Sequence, residues 1–320
     1  VTKKRTTMFR VPGADELLRG SLLHMSDSRA LAHWLTHNPL GRRLATRFVA
    51  GEDLDSAIDA VRVLNSKGIT ASLDHLGEAI TNPAEAIDAA GGYVAILGRL
   101  NQSGVDSNVS LKLTQMGLDI SITLCLDNLI RILEKAQEIG QFVRFDMESS
   151  HHTSDILRVF EDVWQRGYSN CGIVLQAYLQ RTERDVDWAI ELGCRVRLCK
   201  GAYAEPPTIA FDKAGTDLNY VKLARKLLDA GHYPGLATHD LRIIRQVEGW
   251  QPDPASFEFQ MLYGVRTELQ RRLVGDGYRL RAYVPFGSDW YAYFMRRLAE
   301  RPANLMFFLT QLKDALPVSR

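Results

Sequence analysis

Apolar and polar side chains alternate strictly in the stretch Val109-Ser110-Leu111-Lys112-Leu113-Thr114. Successive side chains of a strand point to opposite faces, so a strand here carries apolar residues on one face and polar residues on the other. The stretch Phe142–Glu148 repeats this pattern, and in Ala71–Leu76 the carboxylate of Asp74 stands opposite Leu73. If the apolar faces pack against surrounding helices, the polar faces enter the interior of a closed barrel, where such enzymes place their chemistry near the strand ends.

Eight strand candidates follow one another after Gly68, and segments with helical spacing separate them. This alternation predicts the α/β class and a parallel (βα)8 TIM-type barrel with outer helices. The strand candidates are Ala71–Leu76, Val109–Thr114, Phe142–Glu148, Gly172–Tyr178, Arg195–Lys200, Gly235–His239, Phe257–Leu262 and Leu280–Pro285. Clear helical segments are Ile122–Ile139, Asp155–Arg166, Asp185–Leu192 and Leu218–Ala230.

The residues before Gly68 have a different pattern. From Ser28 to about residue 66 the chain reads as amphipathic helices, with a break at Pro39-Leu40-Gly41. We therefore expect an N-terminal helical extension over residues 1–66, packed on a barrel over residues 67–320. Without an internal repeat or a low-complexity linker, the two parts are expected to form one structural domain overall.

The composition argues against several classes of protein. Of the 320 residues 46% are hydrophobic, and 39 basic and 38 acidic residues nearly cancel, so no strong positive field favours nucleic acid. Apolar runs such as Tyr93–Leu97 are far shorter than the roughly 20 residues that span a bilayer. The four cysteines lie in apolar segments without a CxxC pair, which favours a reducing cytoplasm and predicts no metal site.

Lys112 is costly inside an apolar strand unless its ammonium group is paired or reaches a wet cavity. The functional interpretation is binding of a substrate carboxylate or formation of a Schiff base; the structural one is a lysine that extends from a strand end. Asp146 occupies a similar inward position, where it could pair with Lys112, orient a ligand or accept a proton. A structural ion pair would explain Asp146 alone, but not polar endings on nearly every strand.

Two further strand ends combine glycine, cationic and hydrogen-bonding residues. Arg197 and Lys200 can stabilise negative charge, and the following Gly201 lets a ligand approach the backbone. The stretch Ala237-Thr238-His239 ends another strand with a hydroxyl and an imidazole. The chain contains neither GxGxxG nor GxxxxGK[ST], so neither a Rossmann nor a P-loop nucleotide site is expected.

The last strand candidate leads into a helix that is predicted to begin after Gly287-Ser288-Asp289. Tyr293, Arg296, Arg297 and Glu300 follow at i, i+3, i+4 and i+7 and therefore share one face. On a solvated helix these residues could form ordinary surface salt bridges. Over the barrel mouth, two guanidinium groups could instead bind a carboxylate.

These motifs together resemble the proline dehydrogenase family, specifically its small bacterial monofunctional branch. They occur in the order of the family from about Ala71 to the C-terminus, at the ends of predicted strands. The matching stretches are Ser110–Leu113, Arg144–Glu148, Arg197–Tyr203, Ala237–His239, Phe257–Gly264, Tyr283–Gly287 and Tyr293–Leu298.

The resemblance implies a distorted (βα)8 barrel that holds FAD noncovalently at the carboxyl ends of its strands. It also implies oxidation of L-proline to Δ1-pyrroline-5-carboxylate, with hydride passing from C5 to flavin N5. By the same resemblance Asp146 and Arg197 are catalytic, and Arg197 lies near N5. Between Asp146 and bulk water, the acceptor of the amine proton stays open.

The remaining implied site residues fall into two groups. The substrate-binding group is Lys112, Asp146, Leu262, Tyr283, Tyr293, Arg296, Arg297 and Glu300. The FAD-binding group is Met147, Gln176, Arg197, Lys200, Gly201, Ala202, Thr238, His239 and Gln260.

The family also implies partners in proline catabolism. Electrons are expected to pass to a membrane quinone, which suggests a cytoplasmic protein with a peripheral position at the inner face of the membrane. A separate pyrroline-5-carboxylate dehydrogenase is expected downstream, and a homo-oligomer is a further expectation. The alternative function is a barrel lyase or aldolase in which Lys112 or Lys200 forms a Schiff base.

Overall fold

The computed structural model describes residues 46–77 and 80–299, the last four of these by their backbone alone. Within this part of the chain, eight parallel strands close into a barrel in the order β1 to β8. The strands are β1 Thr70–His75, β2 Ser107–Leu111, β3 Val143–Phe145, β4 Cys171–Gln176, β5 Arg195–Cys199, β6 Gly235–Ala237, β7 Glu258–Leu262 and β8 Leu280–Phe286. The predicted parallel barrel is therefore confirmed.

Helices alternate with these strands. They are α1 Leu54–Asn65, α2 Pro83–Ser103, α3 Ile122–Glu138, α4 Ser150–Gln165, α5 Thr182–Leu192, α6 Lys213–Ala230, α7 Leu241–Gly249, α8 Thr267–Gly275 and α9 Trp290–Ala299. Of the predicted N-terminal helices, α1 is confirmed, whereas residues 28–45 lie outside the described residues. None of the described helices is both long enough and apolar enough to cross a membrane.

The chain divides into two compact units, one of residues 50–288 and the other of residues 1–49 with 289–320. The first unit contains α1 and the whole barrel. In the second unit the ring of Phe48 lies 6.2 Å from that of Phe294, which in turn lies 5.8 Å from Trp290. The predicted boundary at residue 66 stays a prediction.

The apolar faces of the strands pack outward against the helices. Leu73, Val109 and Val143 are fully buried there, and the ring of Phe145 on β3 lies edge-on to Phe160 of α4 at 5.6 Å. The opposite faces point inward, as the alternation predicts. In register across β1 to β4 stand Asp74, Ser110, Arg144 and Gly172.

Several predicted strands end too late, and at the end of β2 a side chain takes the place of a strand partner. In the predicted strand Val109–Thr114, β2 ends at Leu111, and the backbone N–H of Thr114 donates to the Glu148 carboxylate at 3.1 Å. The Thr114 hydroxyl donates to the same carboxylate at 2.6 Å. The predicted strands are too long at four further ends. Strands β3, β4, β5 and β6 end before the predicted last residues, which are Glu148, Tyr178, Lys200 and His239, respectively.

Three predicted helices begin too late. Helix α5 begins at Thr182 rather than Asp185, and side-chain contacts explain the earlier starts of the other two. Helix α4 begins at Ser150 rather than Asp155, and the backbone N–H of Ser150 donates to the distant Glu205 carboxylate at 2.7 Å. Helix α6 begins at Lys213 rather than Leu218, because the Asp212 carboxylate caps it by accepting from the Gly215 N–H at 2.8 Å.

Candidate active site

Arg197 lies at the centre of the polar barrel interior and is 6% exposed. Strand β5 directs its side chain across the barrel, where Nη1 donates to Ser110 Oγ at 3.1 Å and to Asp146 Oδ1 at 2.8 Å. Its Nε donates to Gln260 Oε1 on β7 at 2.5 Å. These partners come from β2, from the end of β3 and from β7, so the guanidinium group is held in one orientation.

Asp146 follows β3 and is 8% exposed. Besides Arg197, it accepts hydrogen bonds from Ser110 Oγ at 2.6 Å and from the Tyr283 hydroxyl at 2.8 Å. The guanidinium of Arg197 lies 5.3 Å from the centre of the Tyr283 ring. The structure thus brings together the two predicted catalytic residues, Asp146 and Arg197, with the predicted substrate residue Tyr283.

The phenol of Tyr283 is held in its neutral, proton-donating form. Burial raises the pKa of Tyr283 well above its ordinary value, and the nearby carboxylates Asp146 and Asp74 raise it further. At neutral pH the hydroxyl is therefore protonated and donates its hydrogen bond to Asp146.

Lys112 has a partner that was absent from the predicted site residues. Its Nζ lies 3.2 Å from Asp74 Oδ2, and the side chains of Lys112 and Asp74 are 11% and 1% exposed. Burial raises the pKa of Asp74, and the charge of Lys112 opposes this shift. The carboxylate of Asp74 stood out in the alternation of its strand, but only the pairing of β1 with β2 brings it to Lys112.

Gln260 has its amide between two charged groups. Its Oε1 accepts from Arg197, and its Nε2 donates to Glu258 Oε1 at 2.6 Å. Glu258 also accepts from Arg281 Nε at 2.8 Å. Sequence reasoning missed Glu258 and Arg281, although both lie on inward positions of their strands. The predicted contact of Gln260 with FAD stays a prediction.

Thr238 and His239 follow β6 at the barrel mouth. His239 Nε2 accepts from the backbone N–H of Leu262 at 3.0 Å, so a neutral ring carries its proton on Nδ1 and can donate there. The Thr238 hydroxyl accepts from the backbone N–H of Asp240 at 3.0 Å. Leu262 itself is half-buried at the end of β7.

Lys200 follows β5 and already has two carboxylate partners, Asp217 and Asp240, the second at 3.0 Å. Burial would raise the pKa of Asp240, but hydrogen bonds from Lys200 and Arg242 outweigh it and hold this pKa well below its ordinary value. A phosphate bound at Lys200 would therefore compete with two ionised carboxylates.

The next residue, Gly201, has a φ of 105°, a conformation that side chains strongly disfavour. A Cβ there would lie 2.2 Å from the Tyr178 ring, so only glycine lets the backbone pass this close. Ala202 is exposed at the rim. Strand β5 does not continue into Gly201, as predicted, although it ends at Cys199, one residue before the predicted end.

The side chain of Gln176 indicates whether a bound ligand would fit at the carboxyl ends of the strands. The residue is 4% exposed, and its Oε1 has no hydrogen-bond partner among the described residues. A buried amide oxygen without a partner costs free energy unless a bound group donates to it. With Met147 buried at 7% exposure on the neighbouring strand end, the residues present fit a ligand that offers an N–H, such as a flavin ring.

The remaining predicted substrate residues lie on or after α9. Tyr293 is 6% exposed within that helix. The backbones of Arg296 and Arg297 are helical, and their side chains are outside the described part; Glu300 lies outside the described residues. The binding of a carboxylate by Arg296 and Arg297, which we call the carboxylate clamp, therefore stays a prediction. Among residues 46–77 and 80–295, no cluster of three His, Cys, Asp or Glu side chains could hold a metal ion.

The site combines a positive guanidinium, a carboxylate held by three donors and a neutral phenol. Such a set can bind a small zwitterion, with the cation facing developing negative charge and the carboxylate facing an amine. Comparison with known proteins agrees with this chemistry. A family model described as proline dehydrogenase matches residues 57–309.

Two curated relatives extend the match to nearly the whole chain. Proline dehydrogenase 1 of Bacillus subtilis (strain 168) is 42% identical over 299 residues, which cover 92% of this chain and 98% of the relative. Proline dehydrogenase of Deinococcus radiodurans is 41% identical over 304 residues, covering 92% of this chain and 97% of the relative.

A solved structure, proline utilization A from Bdellovibrio bacteriovorus inactivated by N-propargylglycine, has a TM-score of 0.77 and 27% identity. The match covers 96% of this chain but only 37% of that longer chain. Because the family model and the curated relatives both span most of the sequence, this chain belongs to the proline dehydrogenase family.

Proposed function

We propose that this chain oxidises L-proline to Δ1-pyrroline-5-carboxylate with bound FAD, in proline catabolism. The observation that carries the proposal is the cluster of Arg197, Asp146 and Tyr283 inside the barrel, in a chain about 41% identical to curated proline dehydrogenases. The ionised and neutral groups of this cluster match a substrate that has an amine and a carboxylate.

Substrate binding is assigned to two sets of residues. Lys112, Arg296 and Arg297 bind the proline carboxylate, and Glu300 orients one of the arginines. Leu262, Tyr283 and Tyr293 shape the pocket for the ring. Holding a small substrate at both its charged groups converts binding free energy into orientation of the carbon that reacts.

FAD is proposed to lie at the carboxyl ends of the strands. When bound, it supplies the acceptor, N5, for the hydride that leaves C5 of proline. The unsatisfied Gln176 Oε1 is suited to accept a hydrogen bond from the flavin ring, and the glycine conformation at Gly201 admits a close approach. The other proposed contacts come from Met147, Arg197, Lys200, Ala202, Thr238, His239 and Gln260.

Arg197 and Asp146 have distinct proposed roles. The guanidinium of Arg197 stabilises negative charge that develops beside it, and it needs no reorganisation because its partners already fix it. Asp146 faces the substrate amine and orients it. Its 2.8 Å ion pair with Arg197 couples the two roles.

Electrons are proposed to pass to a membrane quinone from a position at the inner face of the membrane. The product is proposed to pass to a separate pyrroline-5-carboxylate dehydrogenase.

An anaerobic titration tests the proposal. We expect the purified protein to be yellow, its flavin absorbance to bleach when proline is added, and the colour to return with a quinone analogue. A protein that stays colourless after FAD is supplied, or a yellow one that proline does not bleach, would contradict the proposal.

The clamp has a separate test. Arg296→Met and Arg297→Met should each raise KM for proline strongly while FAD stays bound. Unchanged proline kinetics in both variants would contradict the assignment of the carboxylate clamp. This outcome would not contradict the proposed oxidation of proline.

The alternative of a Schiff-base lyase is not favoured. A Schiff-base lysine must lose its proton before it attacks a carbonyl. Lys112 is paired with Asp74, and Lys200 with Asp217 and Asp240, so either amine would have to leave an ion pair before it could attack a carbonyl.

A further inference from the structure

Glu258 is a buried carboxylate to which the proposed reaction gives no role. It opens β7, two residues before Gln260, and is 4% exposed. Its Oε1 accepts from Gln260 Nε2 at 2.6 Å and from Arg281 Nε at 2.8 Å. Both donors come from inward positions, so Glu258 is part of the polar barrel interior and not of the surface.

Glu258 is ionised in the folded protein. Burial would raise the pKa of its carboxyl group. The charge and hydrogen bond of Arg281, the hydrogen bond from Gln260 and the charge of Arg144 together outweigh burial and lower the pKa below its ordinary value of 4.5. An ionised carboxylate can accept hydrogen bonds but cannot donate them. Its neighbour must therefore present a donor.

This requirement fixes the orientation of the Gln260 amide. The NH2 end faces Glu258, and the oxygen consequently faces Nε of Arg197 at 2.5 Å. In the reversed orientation, the amide oxygen would meet the carboxylate and the NH2 group would meet the N–H of Arg197. Both contacts would be repulsive, which leaves one stable orientation.

The backbone of β6 faces the Gln260 amide. It leaves room for the amide in this orientation but little room for the amide to move. Gly235 on β6 faces Gln260, and a Cβ at that position would lie 2.3 Å from Gln260 Nε2. Packing thus confines the amide between β6 and the two charged groups.

We propose that Glu258 is a positioning residue for Arg197, acting through the amide of Gln260. It keeps the amide oxygen directed at Nε, and so holds the guanidinium where Nη1 reaches Asp146 and Ser110. The consequence for catalysis rests on the proposed function, in which Arg197 stabilises charge beside the flavin. The consequence for the orientation of Arg197 does not rest on it.

A charge swap tests the proposal. The variants are Glu258→Gln, Gln260→Glu and the double variant that combines them. In Glu258→Gln the new side chain can turn either its amide oxygen or its NH2 group towards Gln260, so it no longer fixes the orientation of the Gln260 amide. In the double variant the carboxylate stands next to Arg197 and the amide stands next to Arg281, so Arg197 regains an acceptor at its Nε with the total charge unchanged.

Three measurements read the position of Arg197. The first is the hydrogen-exchange rate of its Nε–H by NMR in the protein without proline, assigned with Arg197→Lys. The second is the midpoint potential of bound FAD, and the third is the division of any kinetic effect between kcat and KM.

For Glu258→Gln we expect faster exchange at the Arg197 Nε–H and a lower flavin midpoint potential. We also expect a fall of about tenfold in kcat with little change in KM, as is typical when a residue that orients a functional group is lost. The double variant should recover the slow exchange of the Arg197 Nε–H, because a carboxylate again accepts its hydrogen bond.

Unchanged exchange in Glu258→Gln would overturn the proposal. So would a double variant whose Arg197 Nε–H exchanges as fast as in the faster of the two single variants. The second result is what a merely structural carboxylate predicts, because two substitutions in a packed interior then add their costs. If the parent protein does not oxidise proline, the proposed function fails, while the exchange rates still decide whether Glu258 positions Arg197.

Discussion

Asp74 and Lys112 form a buried ion pair whose two members depend on each other. Asp74→Asn removes the ionisable oxygens that accept hydrogen bonds from the charged Lys112 ammonium group, so we expect it to lower the free energy of unfolding by about 2 kcal/mol. Replacing Lys112 by Met in the same chain removes that charge and should recover most of the loss. Urea-induced unfolding followed by circular dichroism measures both. A single variant as stable as the parent would show that the pair at 3.2 Å contributes nothing.

The hydroxyl of Tyr283 is a second residue whose removal has a defined outcome. Tyr283→Phe keeps the ring against Arg197 but deletes the donor to Asp146 at 2.8 Å. A lost hydrogen bond of about 1 kcal/mol corresponds to roughly a fivefold fall in kcat/KM for proline. Tyr168→Phe is the matched control, since its hydroxyl donates at the surface to Glu134 at 3.3 Å. Equal effects in the two variants would contradict a role for the Tyr283 hydroxyl.

At the scale of single strands, glycine marks where the interior has no room for a side chain. A Cβ on Gly172 of β4 would lie 2.4 Å from the carbonyl oxygen of Arg195 and 2.7 Å from Arg144 Nη1. The backbone cannot yield without breaking the β4–β5 ladder, so Gly172→Ala should cost about 2 kcal/mol of stability.

Helix α2 offers the matched control for this substitution. No atom lies within 4 Å of a Cβ placed on Gly98, and alanine favours a helix interior, so Gly98→Ala should stabilise the protein by about 0.5 kcal/mol. Thermal unfolding measures the change in stability of both variants. If Gly172→Ala also stabilises the protein, the crowding of the barrel interior has been misjudged.

The same strands show what could be predicted from the sequence. Alternation placed Lys112 and Asp146 on inward faces, because a period of two is a local property of the chain. It could not pair Lys112 with Asp74, since that contact depends on the register of β1 with β2. Nor could it foresee the carboxylate of Glu205 at the start of α4, a contact between residues 55 positions apart.

For the whole molecule, eight repeats of strand and helix were enough to predict the barrel, because each repeat carries the same signal and a closed parallel sheet satisfies all of them. The polar network inside the barrel was predicted only as a set of positions. Its connections run across the barrel, from Arg281 through Glu258 and Gln260 to Arg197. Of these connections, the one between Arg281 and Glu258 joins residues 23 positions apart, and the one between Gln260 and Arg197 joins residues 63 positions apart.

This network should make the stability of the whole barrel depend on pH. Because the pKa of Glu258 is lower in the folded protein than its ordinary value of 4.5, the unfolded chain binds the proton more tightly. The contribution of the ionised carboxylate is therefore fully present above about pH 4.5 and is lost as the pH falls through the folded pKa. Asp74 and Glu148, whose pKa values burial raises, act in the opposite direction.

Comparing Glu258→Gln with the parent protein isolates the carboxylate of Glu258, because Asp74 and Glu148 are common to both and cancel in the difference. We expect the variant to be about 3 kcal/mol less stable at pH 7, as a broken buried pair with Arg281 requires, and the difference to shrink as the pH falls below 4.5. Urea unfolding between pH 7 and pH 3.5 measures it. Glu138→Gln removes a surface pair with Lys135 and should change stability little at any pH. A difference for Glu258→Gln that stays constant over this range would mean that the variant loses packing, and that the ionised carboxylate does not stabilise the barrel.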